Sequence, residues 1–374
     1  MSAIMKHLLV ISLLILVSAC SSKQPSEIAQ SSGDIPIWSL TETVSIQESN
    51  DLIFGYAIGP AVTSDDEILI VDIQKYVVHH FSPDGTHIGT FSQSGSGPGE
   101  MKNFSGSIIT SNDEYVVFDR SEMRFTFFER LDGTWKHTKM INSETVPSVF
   151  FEGTDQTIIG RTTISFNRSN LNKPDPGYYV RQMTYEGEIL KDSLLYGPMN
   201  NFLVWETNNG FTIRSFPGEY GETAFTSVYD KNTIIHATSE IFEFTIMDVN
   251  TGETRTFFHD IPRIPLTSAE KDTLISQAGD RFASAMREKM PSHKRAINSF
   301  FVDDEGRIWV NVPTPAEDDP AYNYLILDLQ GEFLGKVSTP NGRSISTVAN
   351  NKVYVTKRDP ESGTSIHVYT ITKN

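Results

Sequence analysis

The chain of 374 residues carries 47 Asp and Glu against 31 Lys and Arg, a formal net charge of −16. Nucleic-acid binding calls for a basic surface, so this balance argues against that class, and it also disfavours direct adsorption to anionic lipid. Aromatic residues and β-branched runs are plentiful, which favours strands, and a single cysteine rules out any disulfide within the chain.

The N-terminus has three parts. Lys6 and His7 are weakly basic, Leu8 to Val17 is an almost unbroken apolar run, and Val17-Ser18-Ala19-Cys20 follows. The run is too short to span a bilayer, which takes roughly 20 apolar residues, and matches the apolar core of a signal peptide. The Val-Ser-Ala-Cys stretch resembles the bacterial lipobox. That resemblance implies a signal peptide over residues 1–19, cleavage before Cys20, and a lipid on the Cys20 thiol. The competing reading is a stray thiol beside an ordinary signal peptide, but an unpaired cysteine in an exported chain calls for an explanation, and lipidation supplies one. Ser21, Ser22 and Lys23 place no Asp directly after the cysteine. By resemblance to sorting signals, this favours the outer membrane. Residues 20–34, rich in Ser and Gln and poor in large apolar side chains, read as a flexible tether.

Residues 35–374 carry a recurring pattern: an acidic or polar turn, a short apolar strand, a second strand, a turn ending in Gly, and a third apolar stretch. In the first copy Ser64-Asp65-Asp66-Glu67 precedes Ile68 to Val71, then come Val77 to Phe81, Pro83-Asp84-Gly85, and His87 to Phe91. The second copy runs through Ser111 to Glu114, Tyr115 to Phe118, Phe125 to Phe128 and Asp132-Gly133. From Asp72 to Phe81 and from Asp119 to Phe128 the spacing is identical. Looser copies centre on Thr157 to Gly160, Thr233 to His236, Ile308 to Val310 and Val353 to Val355. Repeats of roughly 40–50 residues with several strands each are the signature of propeller blades. The expected fold is all-β, a six-bladed β-propeller. The last copy lacks an outer strand, and Thr43 to Ile46 is expected to pair there and close the ring, removing an open sheet edge.

Two motifs carry a closer resemblance. Gly95-Ser96-Gly97-Pro98-Gly99-Glu100-Met101, a link between blades, and Asp303-Asp304-Glu305-Gly306-Arg307-Ile308-Trp309-Val310 resemble the link and strand-pair signatures of NHL-like six-bladed propellers. Many such chains are exported bacterial lipoproteins, so the resemblance implies the same fold and address here.

Two segments break the rhythm. Pro198 to Glu222 is a polar and aromatic insertion. Thr267 to Met290 reads as one amphipathic helix, with a Thr267-x-x-Glu270 capping box and Leu274, Ala278, Phe282 and Ala285 on one face. Its apolar face is expected either to pack on the propeller as a lid or to dock a partner.

Catalytic strings are absent or incomplete. The glycine-rich link lacks the Lys-Ser/Thr of a phosphate loop, and Ser268-Ala269-Glu270-Lys271 lacks the partner motifs of penicillin-binding enzymes. His79 and His80 adjoin on a strand, so they face opposite ways and do not readily chelate one ion.

Geometry singles out one face. The link into a blade and the loop after its second strand share a face, opposite the Asp-Gly-type turns that follow the third strand. The column ending each second strand reads Asp72, Asp119, Arg161, Ala237, Asn311 and Thr356, with Glu100 of the link on the same face. One reading makes this a channel-mouth ligand face, whose carboxylate and amide oxygens suit a divalent cation such as Ca²⁺. The other has Asp72 and Asp119 hydrogen-bonding the loops beside them. Propellers of the gluconolactonase type hold a divalent ion near the channel with Glu, Asn and Asp, but their motif is not found here and no residue is carried over. The leading expectation is a non-enzymatic module that binds a protein, small-molecule or carbohydrate ligand. The rivals are a metal-dependent hydrolase of lactones or esters and a subunit of an envelope assembly.

Overall fold

In a computed structural model, the residues described are 35–49, 52–164, 177–199, 202–207, 210–216, 220–314, 323–340, 343–359, 361 and 363–373. Cys20 and the expected signal peptide and tether lie outside them.

After a first strand, β1 (Trp38–Gln47), the chain makes six sheets of four strands. Blade 1 is β2 (Ala57–Val62), β3 (Ile68–Asp72), β4 (Val77–Phe81) and β5 (His87–Phe91). Blade 2 is β6 (Phe104–Ile109), β7 (Tyr115–Asp119), β8 (Arg124–Leu131) and β9 (Thr134–Asn142). Blade 3 is β10 (Val149–Glu152), β11 (Thr157–Thr163), β12 (Gly177–Thr184) and β13 (Ile189–Pro198). A hairpin, β14 (Phe202–Thr207) and β15 (Gly210–Ser215), precedes blade 4, which is β16 (Ala224–Tyr229), β17 (Thr233–Thr238), β18 (Glu243–Asp248) and β19 (Thr254–Phe258). Two helices, α1 (Ser268–Ala278) and α2 (Ala283–Glu288), lead to blade 5: β20 (Ser299–Val302), β21 (Ile308–Val312), β22 (Asn323–Leu327) and β23 (Phe333–Ser338). Blade 6 takes β24 (Thr347–Ala349), β25 (Lys352–Asp359) and β26 (Gly363–Lys373), with β1 as its outer strand. Within each blade the strands are antiparallel, and in blades 1–5 they are ordered as in sequence from the channel outward, while in blade 6 β1 lies outside β26.

The six-bladed propeller follows from the second strands. Every residue of β3, Ile-Leu-Ile-Val-Asp, is buried. Side chains alternate across a strand, so Ile68 and Ile70 pack with Tyr354 and Ile366 of blade 6, while Leu69 and Val71 pack with Tyr115 and Val117 of blade 2. A continuous apolar run is what a strand buried on both faces requires. Truncating one such residue, Leu69→Ala, costs about 2–5 kcal/mol by the usual core penalty.

Closure is polar as well as apolar. β1 pairs with β26 from Trp38 opposite Lys373 to Gln47 opposite Ser365. On the face carrying the turns after first and third strands, Ser64 N–H donates to Asp113 of the next blade at 2.9 Å, Ser111 N–H to Glu152 at 2.7 Å, and Asn350 N–H to Asp304 at 2.7 Å. Lys352 pairs with Asp66 at 2.8 Å, tying blade 6 to blade 1.

The helical insertion differs from the single helix expected. The capping box forms, with Thr267 Oγ1 accepting from Glu270 N–H and Glu270 Oε2 accepting from Thr267 N–H. Gly279, at φ 78°, then stops α1, and α2 starts afresh at Ala283. Glycine takes this left-handed φ without the Cβ penalty, which is why the break falls there. Leu274, Ala278 and Phe282 still share one buried cluster, because the break keeps their side chains on the same side.

Candidate ligand-binding face

The ends of the second strands share one face with the links between blades, here called the link face. Asp72 ends β3 and is buried. Its carboxylate accepts from the N–H groups of Gly55 (2.7 Å) and Tyr56 (3.1 Å) in the link before the blade, and of Gln74 and Lys75 (both 3.1 Å) in the loop after it. Burial pushes the Asp72 pKa up, but the four N–H groups outweigh it and leave the carboxyl below its ordinary range. Asp119 ends β7 and does the same for blade 2, accepting from Lys102, Asn103, Ser121 and Glu122 N–H.

Glu100 is spent in a similar way. It accepts from Gln93 Nε2 at 2.6 Å and from Gly97 N–H at 2.7 Å, and the Gln93 bond is the first reason its pKa is lowered. The glycines of this link make room for it: a Cβ on Gly95 would sit 2.0 Å from Glu100 Oε2. Arg124, buried at the start of β8, holds the same link from the other side by donating to the carbonyls of Ser96, Gly97 and Glu100. Nothing in the sequence marked Arg124, because its partners are main-chain oxygens.

The rest of the column divides. Thr356 Oγ1 donates to Gly59 O at 2.8 Å, joining blade 6 to blade 1, and lines an open polar cleft of about 550 Å³ with Arg343 and Arg358. Ala237 is buried and apolar. Asn311 Oδ1 accepts from Asn298 Nδ2 at 2.9 Å, while its own Nδ2 is buried without a partner among the described residues. Among the described residues the column side chains do not bond one another. Also among the described residues, no three His, Cys, Asp or Glu side chains converge to hold a metal ion. The donor set therefore does not fit the divalent centre considered from the sequence.

Arg161 of β11 is the exception in this ring. Its guanidinium lies over the Tyr178 ring, 4.0 Å from the centroid. Among the described residues it forms no ion pair, and its Nε is buried with no hydrogen-bond partner. Burial pushes its ionisation down, with Tyr178 acting the other way. Behind it runs a short polar chain across the seam between blades 3 and 4. Tyr178 Oη lies 3.1 Å from Thr226 Oγ1, which lies 3.1 Å from His236 Nδ1. His236 is driven to a pKa of about 4, first by burial and then by the Arg161 charge. The buried Asp303 carboxylate, by contrast, is matched, taking Arg307 Nε at 2.5 Å and Trp309 Nε1 at 2.7 Å.

The two insertions meet on the link face as one cap. Leu203 and Phe216 of the hairpin segment pack with Leu274, Ala278, Phe282 and Met286 of the helical segment. Arg214 Nη1 donates to Ala278 O at 2.7 Å and Nη2 to Gln277 O at 2.9 Å, a cation set on the negative end of α1. Arg281 covers Trp205 at 4.9 Å. The buried side of α1 is thus occupied by this chain's own hairpin.

No family model matches the chain, and no curated protein matches it. Solved structures do. A candidate exported protein from Bacteroides fragilis aligns at a TM-score of 0.54 and 13% identity, covering 91% of this chain and 97% of the other. A member of the DUF4221 family from Bacteroides vulgatus aligns at 0.53 and 10% identity, covering 91% and 99%. A gluconolactonase from Xanthomonas campestris aligns at only 0.43 and 13% identity, covering 89% and 98%, a distance at which the likeness carries nothing about the reaction. At these identities the neighbours establish the fold alone, a six-bladed β-propeller.

Proposed function

We propose that the chain is a lipid-anchored propeller of the cell envelope, held by Cys20 at the outer membrane, that binds a polar ligand or partner at its link face. The observation that carries this reading is what the mouth residues do with their polar atoms. Asp72, Asp119 and Glu100 spend their oxygens on the chain's own N–H groups and on Gln93, while Arg161 Nε and Asn311 Nδ2 are, among the described residues, donors without acceptors. Such a face is made for taking up acceptors rather than for holding a cation.

The path of the chain supports the same side as the presented one. Trp38 opens β1 opposite Lys373, and Lys373 lies 3.8 Å from Glu305, in the turn after the first strand of blade 5. The described chain therefore begins on the turn face, which favours the link face with its cap as the side presented away from the anchor.

The test is metal content and turnover of the lipoprotein, extracted in detergent without chelator. Far less than one divalent ion per chain, and no ion-dependent cleavage across a lactone and ester panel, is expected. One ion per chain, lost in Asp72→Asn together with turnover, would overturn the binding reading in favour of a hydrolase.

A further inference from the structure

We infer that the seam between blades 3 and 4 on the link face is a seat for an oxyanion, a carboxylate or a phosphate ester, held by the Arg161 guanidinium beside Tyr178, Thr226 and His236. The inference rests on the link face being the binding face and names the chemical class it takes.

Three observations converge. First, Arg161 is half-buried and, among the described residues, has no carboxylate against it, so a counter-ion is the partner its charge lacks. Among the described residues its Nε–H has no acceptor, whereas nearly all buried donors in folded proteins have one. Secondly, the guanidinium is held flat by stacking on Tyr178, and Tyr178 is itself fixed through Thr226 to the neighbouring blade. The planar fork is pre-oriented, and two parallel N–H groups match the two oxygens of a carboxylate or phosphate. Thirdly, His236, coupled to Arg161 by charge, is kept neutral by its burial and by that charge. An anion arriving at Arg161 cancels the charge that helps suppress His236 and favours a proton on that ring, adding a second positive group where the ligand sits. Four strands from two blades supply the seat, so the cluster sits at a rigid seam and not on a mobile loop.

The experiment uses the full-length lipoprotein in detergent and two probes, inorganic phosphate and succinate, each compared with chloride at matched ionic strength. The expected result is a saturable rise in Tm with at least one probe. Arg161→Met should lose it, and Arg161→Lys, which keeps the charge but not the fork, should weaken affinity at least tenfold. The stronger probe identifies the oxyanion. In the wild-type protein the His236 ring, followed by NMR, should titrate at higher pH when the probe is bound, a readout that needs no variant to fold. Equal Tm shifts in wild type and Arg161→Met, or a His236 ring unmoved by both probes, would overturn the inference. Those outcomes leave the metal and turnover measurements untouched, so failure of the seat is distinguishable from failure of the binding reading.

Discussion

Asp119 repeats Asp72. Each carboxylate ends the second strand of its blade and accepts four backbone N–H groups, two from the link that enters the blade and two from the loop that leaves the strand. Both are fasteners of the link face. Replacing either by Asn swaps one acceptor oxygen for a donor facing N–H groups, which should cost about 1–3 kcal/mol per site. The two sites share no partner, so Asp72→Asn and Asp119→Asn should add within about 0.5 kcal/mol in urea unfolding. Cation ligands would instead show stability that depends on added Ca²⁺ in the wild type and not in the variants.

Arg214 should matter locally. Removing it frees the last carbonyls of α1 and a favourable charge at the negative helix end, a loss of about 1–2 kcal/mol in a partly buried setting. Because the cap is an excursion between blades 3 and 5, Arg214→Ala should speed amide exchange in residues 268–288 while strands such as β3 and β7 keep their protection. Uniform loss of protection would mean that cap and blades unfold as one unit.

Acid should weaken the fold through its buried histidines. In the unfolded chain His236 titrates near about 6.5, and in the folded chain near about 4, with Arg161 and Tyr178 as the ionisable groups facing it. Between those values the unfolded state holds a proton that the folded state does not, so stability rises with pH across the window. The contribution of His236 is intact above about pH 6.5 and lost toward pH 4, by up to about 3 kcal/mol. His79, also driven to about 4 by burial and by His87, acts in the same direction. His236→Asn should therefore flatten, without abolishing, the slope of urea midpoint against pH between 4 and 6.5. An unchanged slope would mean that His236 is not held neutral.

Cys20→Ser should abolish lipid attachment and cleavage at that position, read by intact mass and fatty-acid labelling. A variant still cut there and still bound to membranes would contradict the anchor.

The blades were legible because their physics is local. A four-residue apolar run such as Ile68 to Val71 between polar turns has few readings, and the identical spacing from Asp72 to Phe81 and from Asp119 to Phe128 revealed the repeat. The closing strand was visible from Thr43 to Ile46, and its pairing extends back to Trp38. The helix break at Gly279 was masked, since Leu274, Ala278 and Phe282 keep helical spacing across it. The site was legible only as a column of positions. Sequence placed Asp72 and Asp119 at strand ends but could not display their partners, which are backbone N–H groups. Arg161 stood in that column, and Tyr178 meets it from the next strand of the same blade, yet Thr226 and His236 join them only because two blades meet. The union of the two insertions, sealed by Arg214 and Ala278, likewise depends on contacts between segments more than 60 residues apart.

The link face as the presented, ligand-facing side is tested most directly by its distance from the membrane. With Cys20 lipidated, Gln74→Cys and Gln330→Cys each supply one free thiol, on exposed positions of the link face and the turn face respectively. Labelled lipoprotein in vesicles carrying a lipid-phase quencher should show strong quenching from position 330 and weak quenching from position 74. The reverse order would place the link face against the bilayer and contradict its role as the binding side.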